Sequence, residues 1–245
     1  MNNQESAETK KFLDAIKQGQ YQMLKDMLEQ QSISLDDKNE GLLEAAENGN
    51  LDIVQLLIKK GAQINESHIL EYAVKKEFEH VVEFLLTQEG VDVDNPDNDK
   101  YWSNLMFAAW NGNQKIAQLL LDHDADIHHE NIFEQTPLIF AARECKHKKN
   151  NCNYDIMQSL LHLLHSNLEE INRQDYYGYS ALAYAIGHAC TKTVKLLLEA
   201  GADPFLEYRD GTAFEHTKKA LHFVAKEQEK LNQIYTMLAT HTKEL

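Results

Sequence analysis

Cysteine is scarce, with Cys145, Cys152 and Cys190 the only three in 245 residues. They are too few and too unevenly spaced for a disulfide framework, which points to a reducing, intracellular setting. Long apolar runs are also missing. No stretch approaches the roughly 20 residues of a membrane span, so a soluble chain is expected. The opening residues, MNNQESAETKKF, contain no apolar segment that reads as a secretory signal. Basic charge is outnumbered, 24 Lys and Arg against 39 Asp and Glu, for a formal net charge of −15. A sequence-independent grip on phosphate backbones is therefore unfavourable, and so is attraction to an anionic membrane. The expected partner is a protein with a basic or neutral surface. Catalytic signatures are absent as well: no P-loop, G-x-S-x-G, H-E-x-x-H or G-x-G-x-x-G occurs.

What is present is repetition. In Tyr177–Pro204, YGYSALAYAIGHACTKTVKLLLEAGADP, Gly178 opens a turn and Ser180 caps a helix with an apolar face of Leu182, Ala185 and Ile186. A second helix runs through Val194, Leu196, Leu197 and Leu198 and stops at Gly201, since a residue without a Cβ enters the left-handed conformation cheaply. Neither helix buries its apolar face alone, so the unit demands a neighbour on each side. Gly178, Ser180-Ala181-Leu182, Ala185, Leu196-Leu197-Leu198 and Gly201-Ala202-Asp203 resemble, in register, the G-x-T-P-L-H-x-A-A and L-L-L-x-x-G-A-D pattern of the ankyrin-repeat family.

The unit recurs along the chain. An N-terminal capping repeat spans 8–35, with Phe12, Ala15, Ile16, Leu24 and Leu28 apolar and Lys10, Asp14 and Lys17 on the other face. Units follow at 36–65, 66–97, 98–130, 131–174 and 175–208, with the small or apolar pairs Ala45-Ala46, Ala73-Val74, Ala108-Ala109 and Ala141-Ala142. From Leu56 to Phe84 is 28 residues, against a usual repeat of about 33, so the hairpin near Asn65–His68 is truncated. Leu119 to Leu196 is 77, and the surplus falls in unit five as an insertion at about 145–154. Residues 209–245 lack an inter-helix glycine and read as a C-terminal helical cap, although a partner-binding helix is the second reading. The expected fold is all-α, a solenoid of about six or seven stacked helix–turn–helix units with short hairpin loops and a degenerate cap at each end.

The resemblance implies a concave groove, formed by hairpin tips and the exposed face of each first helix, where partners bind. The residues that fall there are Tyr101, Trp102, Trp110, Asn111, Ile132, Phe133, Gln135, Arg143, Glu144, Tyr176, Tyr177, Tyr179, His188, Tyr208 and Arg209. Tyr, Trp and Arg bury much area for few lost rotamers, which is why they dominate binding hot spots. Phe107, Phe140 and Tyr184 are equally suited to packing between adjacent first helices. The acidic run VDVDNPDND, Val91–Asp99, is a solvated loop or a steering element for a basic ligand, and it lacks the glycine and distal glutamate of an EF-hand loop.

Function is thus expected to be non-enzymatic protein–protein interaction, with no cofactor, in the cytoplasm. A scaffold, adaptor, inhibitor, immunity factor or translocated bacterial effector working in a host cytoplasm would share these features. The alternative is a metal-dependent switch or enzyme built on Cys145, His147 and Cys152 in the unit-five insertion, with a fourth ligand borrowed from His162 or His165. That spacing matches no common zinc module.

Overall fold

The computed structural model describes residues 7–30, 33–64, 68–94, 99–143, 153–208, 211–212, 215 and 228–241. Helices come in pairs: α1 (Ala7–Lys17) with α2 (Tyr21–Glu29), α3 (Leu35–Glu47) with α4 (Leu51–Lys59), and α5 (Ile69–Lys75) with α6 (Glu79–Leu86). Then come α7 (Asn104–Asn111) with α8 (Gln114–Leu121), α9 (Pro137–Arg143) with α10 (Tyr154–Leu163), the single-turn α11 (Leu168–Ile171), and α12 (Ala181–Gly187) with α13 (Thr191–Glu199). A two-residue antiparallel ribbon, β1 (Glu207–Tyr208) on β2 (Gly211–Thr212), precedes α14 (Gln228–His241).

The pairs stack into two layers. First helices pack in the order α1, α3, α5, α7, α9, α12, while second helices pack α2, α4, α6, α8, α10, α13, with α14 against α13 as the last member of that row. Within the described residues this is the expected all-α solenoid. Ala45-Ala46, Ala73-Val74, Ala108-Ala109, Ala141-Ala142 and Ala185-Ile186 are all fully buried. Mostly small side chains at that register let neighbouring first helices approach closely, and larger ones behind them (Leu42, Leu105, Leu138, Leu182) fill the space between layers.

Caps set where each helix begins. Ser34, Ser103, Thr136 and Ser180 accept backbone N–H bonds at the starts of first helices, and Asn50 and Asn113 do so for α4 and α8. The inter-helix turn is one repeated backbone device: Gly49 N donates to Ala46 O (3.1 Å) and Asn50 N to Ala45 O (2.9 Å), and the same two bonds recur at Gly19, Glu77, Gly112 and Ala189. All five turn residues have positive φ. Glycine fits that conformation without strain, and at Gly49 a Cβ would also lie 2.6 Å from the Phe78 ring.

Of residues 209–245, read from the sequence as a helical cap, the described ones are β2, Glu215 and α14, and the hairpin at 65–67 expected to be truncated falls outside the described residues. Cys190, at the start of α13, is disulfide-bonded, so scarcity of cysteine does not leave every thiol free.

Candidate functional site

The loops that lead into units four, five and six share one backbone turn. A residue with positive φ (Tyr101, φ 53°; Glu134, φ 57°; Gly178, φ 81°) directly precedes an inward-turned side chain (Trp102, Gln135, Tyr179), and the helix cap follows (Ser103, Thr136, Ser180). In units five and six the loop is held by an Asx residue five positions before the cap. Asn131 Oδ1 accepts from Phe133 N (2.9 Å) and Gln135 N (3.1 Å), and Asp175 Oδ1 accepts from Tyr177 N and Tyr179 N (both 3.0 Å).

Neighbouring loops are tied backbone to backbone. Ile132 N donates to Lys100 O (3.3 Å) and Tyr176 N to Phe133 O (2.9 Å). Gln174 Nε2 then donates to Gly178 O (2.7 Å) and to Glu207 O (2.6 Å) on the ribbon. The result is a continuous loop row with two parallel files of side chains, Ile132–Tyr176 outermost and Lys100–Phe133–Tyr177 beside it. Ile132 and Tyr176 are 52% and 68% exposed, and Phe133 stacks on Tyr177 with centroids 6.3 Å apart.

Below this row lies a buried polar network. Asp175 Oδ2 accepts from Tyr184 Oη (2.6 Å) and Gln135 Nε2 (3.1 Å), while Gln135 Oε1 accepts from Arg143 (2.8 Å) and Asn131 (3.2 Å). Burial pushes the Tyr184 phenol well above the ordinary tyrosine range, and the Asp175 carboxylate that it donates to pushes it further.

A second aromatic group sits on the first helices. Trp102 is 4.7 Å from Phe140 and 5.3 Å from both Phe107 and Trp110, ring centroid to centroid. The chain's own cations cover these rings: Lys75 lies 4.5 Å over Phe107, Lys100 5.0 Å over Trp102, and Arg143 5.8 Å from Phe140. Trp110 keeps 41% of its surface exposed.

Of the residues expected to face a partner, Tyr101, Trp110, Ile132, Tyr176 and Tyr177 are exposed, whereas Phe133, Arg143, Tyr179 and His188 are half-buried. Gln135 is a correction: it is 1% exposed, because the inward position of the loop delivers its amide to Asp175. Trp102 is half-buried, turned inward by the same geometry so that its ring packs edge-on against Phe140. Asn111 spends its amide on Val74 O and Lys75 O, joining α7 to the end of α5. The side chain of Tyr208 and all of Glu144 and Arg209 lie outside the described residues, as do Cys145, His147 and Cys152. Among the described residues no group of His, Cys, Asp and Glu is arranged to hold a metal ion.

Asp175 and Lys100 escaped the sequence reading. The spacing of Asn131 and Asp175 from their helix caps was a usable signal for the first. In the acidic run, Asp94 accepts from Asp126 N with both oxygens (3.0 Å each), so it links unit three to unit four. Burial raises its carboxyl above the usual range, with the charges of Asp126 and Asp92 adding to the shift and the Asp126 N–H opposing it.

A stack of helix pairs with a laced loop row defines a repeat scaffold. Two matches give it a family: the family model described as ankyrin repeats (3 copies) covers residues 12–97 and again 105–208, and the chain belongs to the ankyrin-repeat family. It is similar to ankyrin repeat and SOCS box protein 6 of Homo sapiens, at 28% identity over 134 residues, which is 52% of this chain and 30% of that protein. It is also similar to an ankyrin repeat-containing protein of Treponema pallidum (strain Nichols), at 29% identity over 151 residues, 60% of this chain and 47% of that one. The chain thus spans half or less of these relatives' length. A crystal structure of an ankyrin repeat domain from Acinetobacter baumannii AYE shares the fold, with TM-score 0.68 and 24% identity, covering 82% of this chain and 97% of that one. Ankyrin repeats are generally protein-interaction modules, and no helix among the described residues is long and apolar enough to cross a membrane.

Proposed function

We propose that this chain is a non-enzymatic module that binds a protein partner through the loop row and adjoining first-helix faces of units four to six. Scaffold, adaptor, inhibitor and translocated effector are the roles such a surface serves. The observation that carries the reading is the combination of exposed Ile132, Tyr176 and Tyr177 with a loop backbone that is already hydrogen-bonded into place. Large apolar and aromatic side chains grouped on a soluble surface mark interaction sites, and a surface ordered in advance loses little entropy on binding. The net charge of −15 favours a partner that is basic or neutral overall and disfavours nucleic acid.

The cytoplasmic setting belongs to the same proposal. The Cys190 disulfide weighs against it, since reducing compartments open such bonds, and thiol labelling of protein taken directly from cells decides the matter. The binding reading is tested by quantitative pull-down with purified wild type and Tyr176→Ala/Tyr177→Ala. Loss of at least tenfold in captured partner at unchanged melting temperature supports it, and undiminished capture overturns it.

A further inference from the structure

The loop row has a polarity that net charge conceals. In the inner file the same loop position is occupied by Lys100 in unit four, Phe133 in unit five and Tyr177 in unit six. Lys100 is exposed, lies over the Trp102 ring, and among the described residues has no carboxylate partner, whereas Lys75 is ion-paired with buried Glu71. Arg143 adds a second positive charge on the adjoining helix, near Phe140. A partner cation is disfavoured beside Trp102 and Phe140, because Lys100 and Arg143 already stand over those rings and repel it. A carboxylate is attracted instead, and Phe133 stacked on Tyr177 offers an apolar platform one and two units further on.

We infer that this row receives an extended segment of a partner protein in which one acidic side chain meets Lys100 and apolar side chains meet Phe133 and Tyr177. The inference rests on the protein-binding reading above and gives it a ligand. First helices of adjacent units stack about 8–10 Å apart, which is the rise of one turn of an extended polyproline-II-like chain, three residues at ~3.1 Å each, and that turn brings every third side chain back to the same face. The recognised pattern is therefore an acidic residue, two of any kind, an apolar residue, two of any kind, and a second apolar residue. The partner remains neutral or basic overall, since only one local carboxylate is required and the far field of this chain is negative.

Fluorescence anisotropy with the full chain and labelled, N-acetylated and C-terminally amidated ten-residue peptides tests this. One peptide carries Glu-x-x-Leu-x-x-Trp, and the others place Gln or Lys at the Glu position, reverse the order, or leave a free C-terminal carboxylate in place of the Glu. The expected result is at least fivefold tighter binding of a Glu peptide, in one of the two chain directions, than of its Gln and Lys counterparts. In Lys100→Glu the preference reverses toward Lys, and in Tyr177→Ala all peptides weaken at least fivefold. Equal affinity for Glu and Gln peptides, preference for the free C-terminus, or tighter binding of a twelve-nucleotide single-stranded DNA overturns the inference, as does no binding of any peptide. A preference for Lys peptides that is lost in Tyr177→Ala overturns it while leaving the protein-binding reading intact.

Discussion

Two groups of aromatic side chains occupy the same loops and first helices, yet they do opposite things. Trp102 lies between Phe107, Trp110 and Phe140, roofed by lysine and arginine stems, whereas Tyr176 and Tyr177 stand out beside Ile132 on the loop row. Residue type does not separate them. Position around the positive-φ residue does: the side chain just after it turns into the stack, and the two positions before the Glu134 and Gly178 turns face outward or form the stacked platform. A loop aromatic is therefore structural or available for binding according to a single step in register.

The sharpest way to break this comparison is to empty the structural group. Phe140→Ala is expected to destabilise by about 3–5 kcal/mol, because the ring is fully buried beneath Trp102, and urea unfolding measures it. Removing the support under the other group comes next. Asp175→Ala leaves Tyr184 Oη, Gln135 and two loop amides without their acceptor, at a cost of about 2–4 kcal/mol, and hydrogen exchange at Tyr177 and Tyr179 should accelerate. Unchanged exchange would mean that Asp175 does not hold the loop.

Titration gives a smaller effect. Because the Tyr184 phenol is raised in the folded state, the unfolded chain ionises first, so its contribution is intact below about pH 10 and is lost as pH rises beyond that. Tyr184→Phe should flatten the alkaline limb of stability against pH, and an unaltered limb would assign that slope to other groups. The smallest change is expected for Tyr176→Ala, within about 0.5 kcal/mol of wild type, since 68% of the residue is already in water. A melting shift comparable to that of Phe140→Ala would erase the distinction between the two groups.

Most of the stack was legible because its signals are local and periodic: small pairs such as Ala108-Ala109, Ser and Thr caps, and leucine-rich second helices all sit within one unit. Two turns hid themselves, as Glu77 and Ala189 take the left-handed conformation that glycine holds elsewhere. The site was harder. Gln135 reads as an exposed loop amide until Asp175, 40 residues later, is brought beside it. Trp102 reads as a projecting tip until the φ of Tyr101 turns it toward Phe140. Contacts between units leave no periodic trace in either unit alone.

The amide-to-carbonyl ties between successive loops have an evolutionary corollary. They hold the tips at a fixed pitch, so the outward side chains behave like teeth on a ruler whose graduations come from the main chain and whose lettering comes from two residues per loop. Rewriting those two letters changes what is read without disturbing the spacing, and duplicating a unit extends the scale by one graduation.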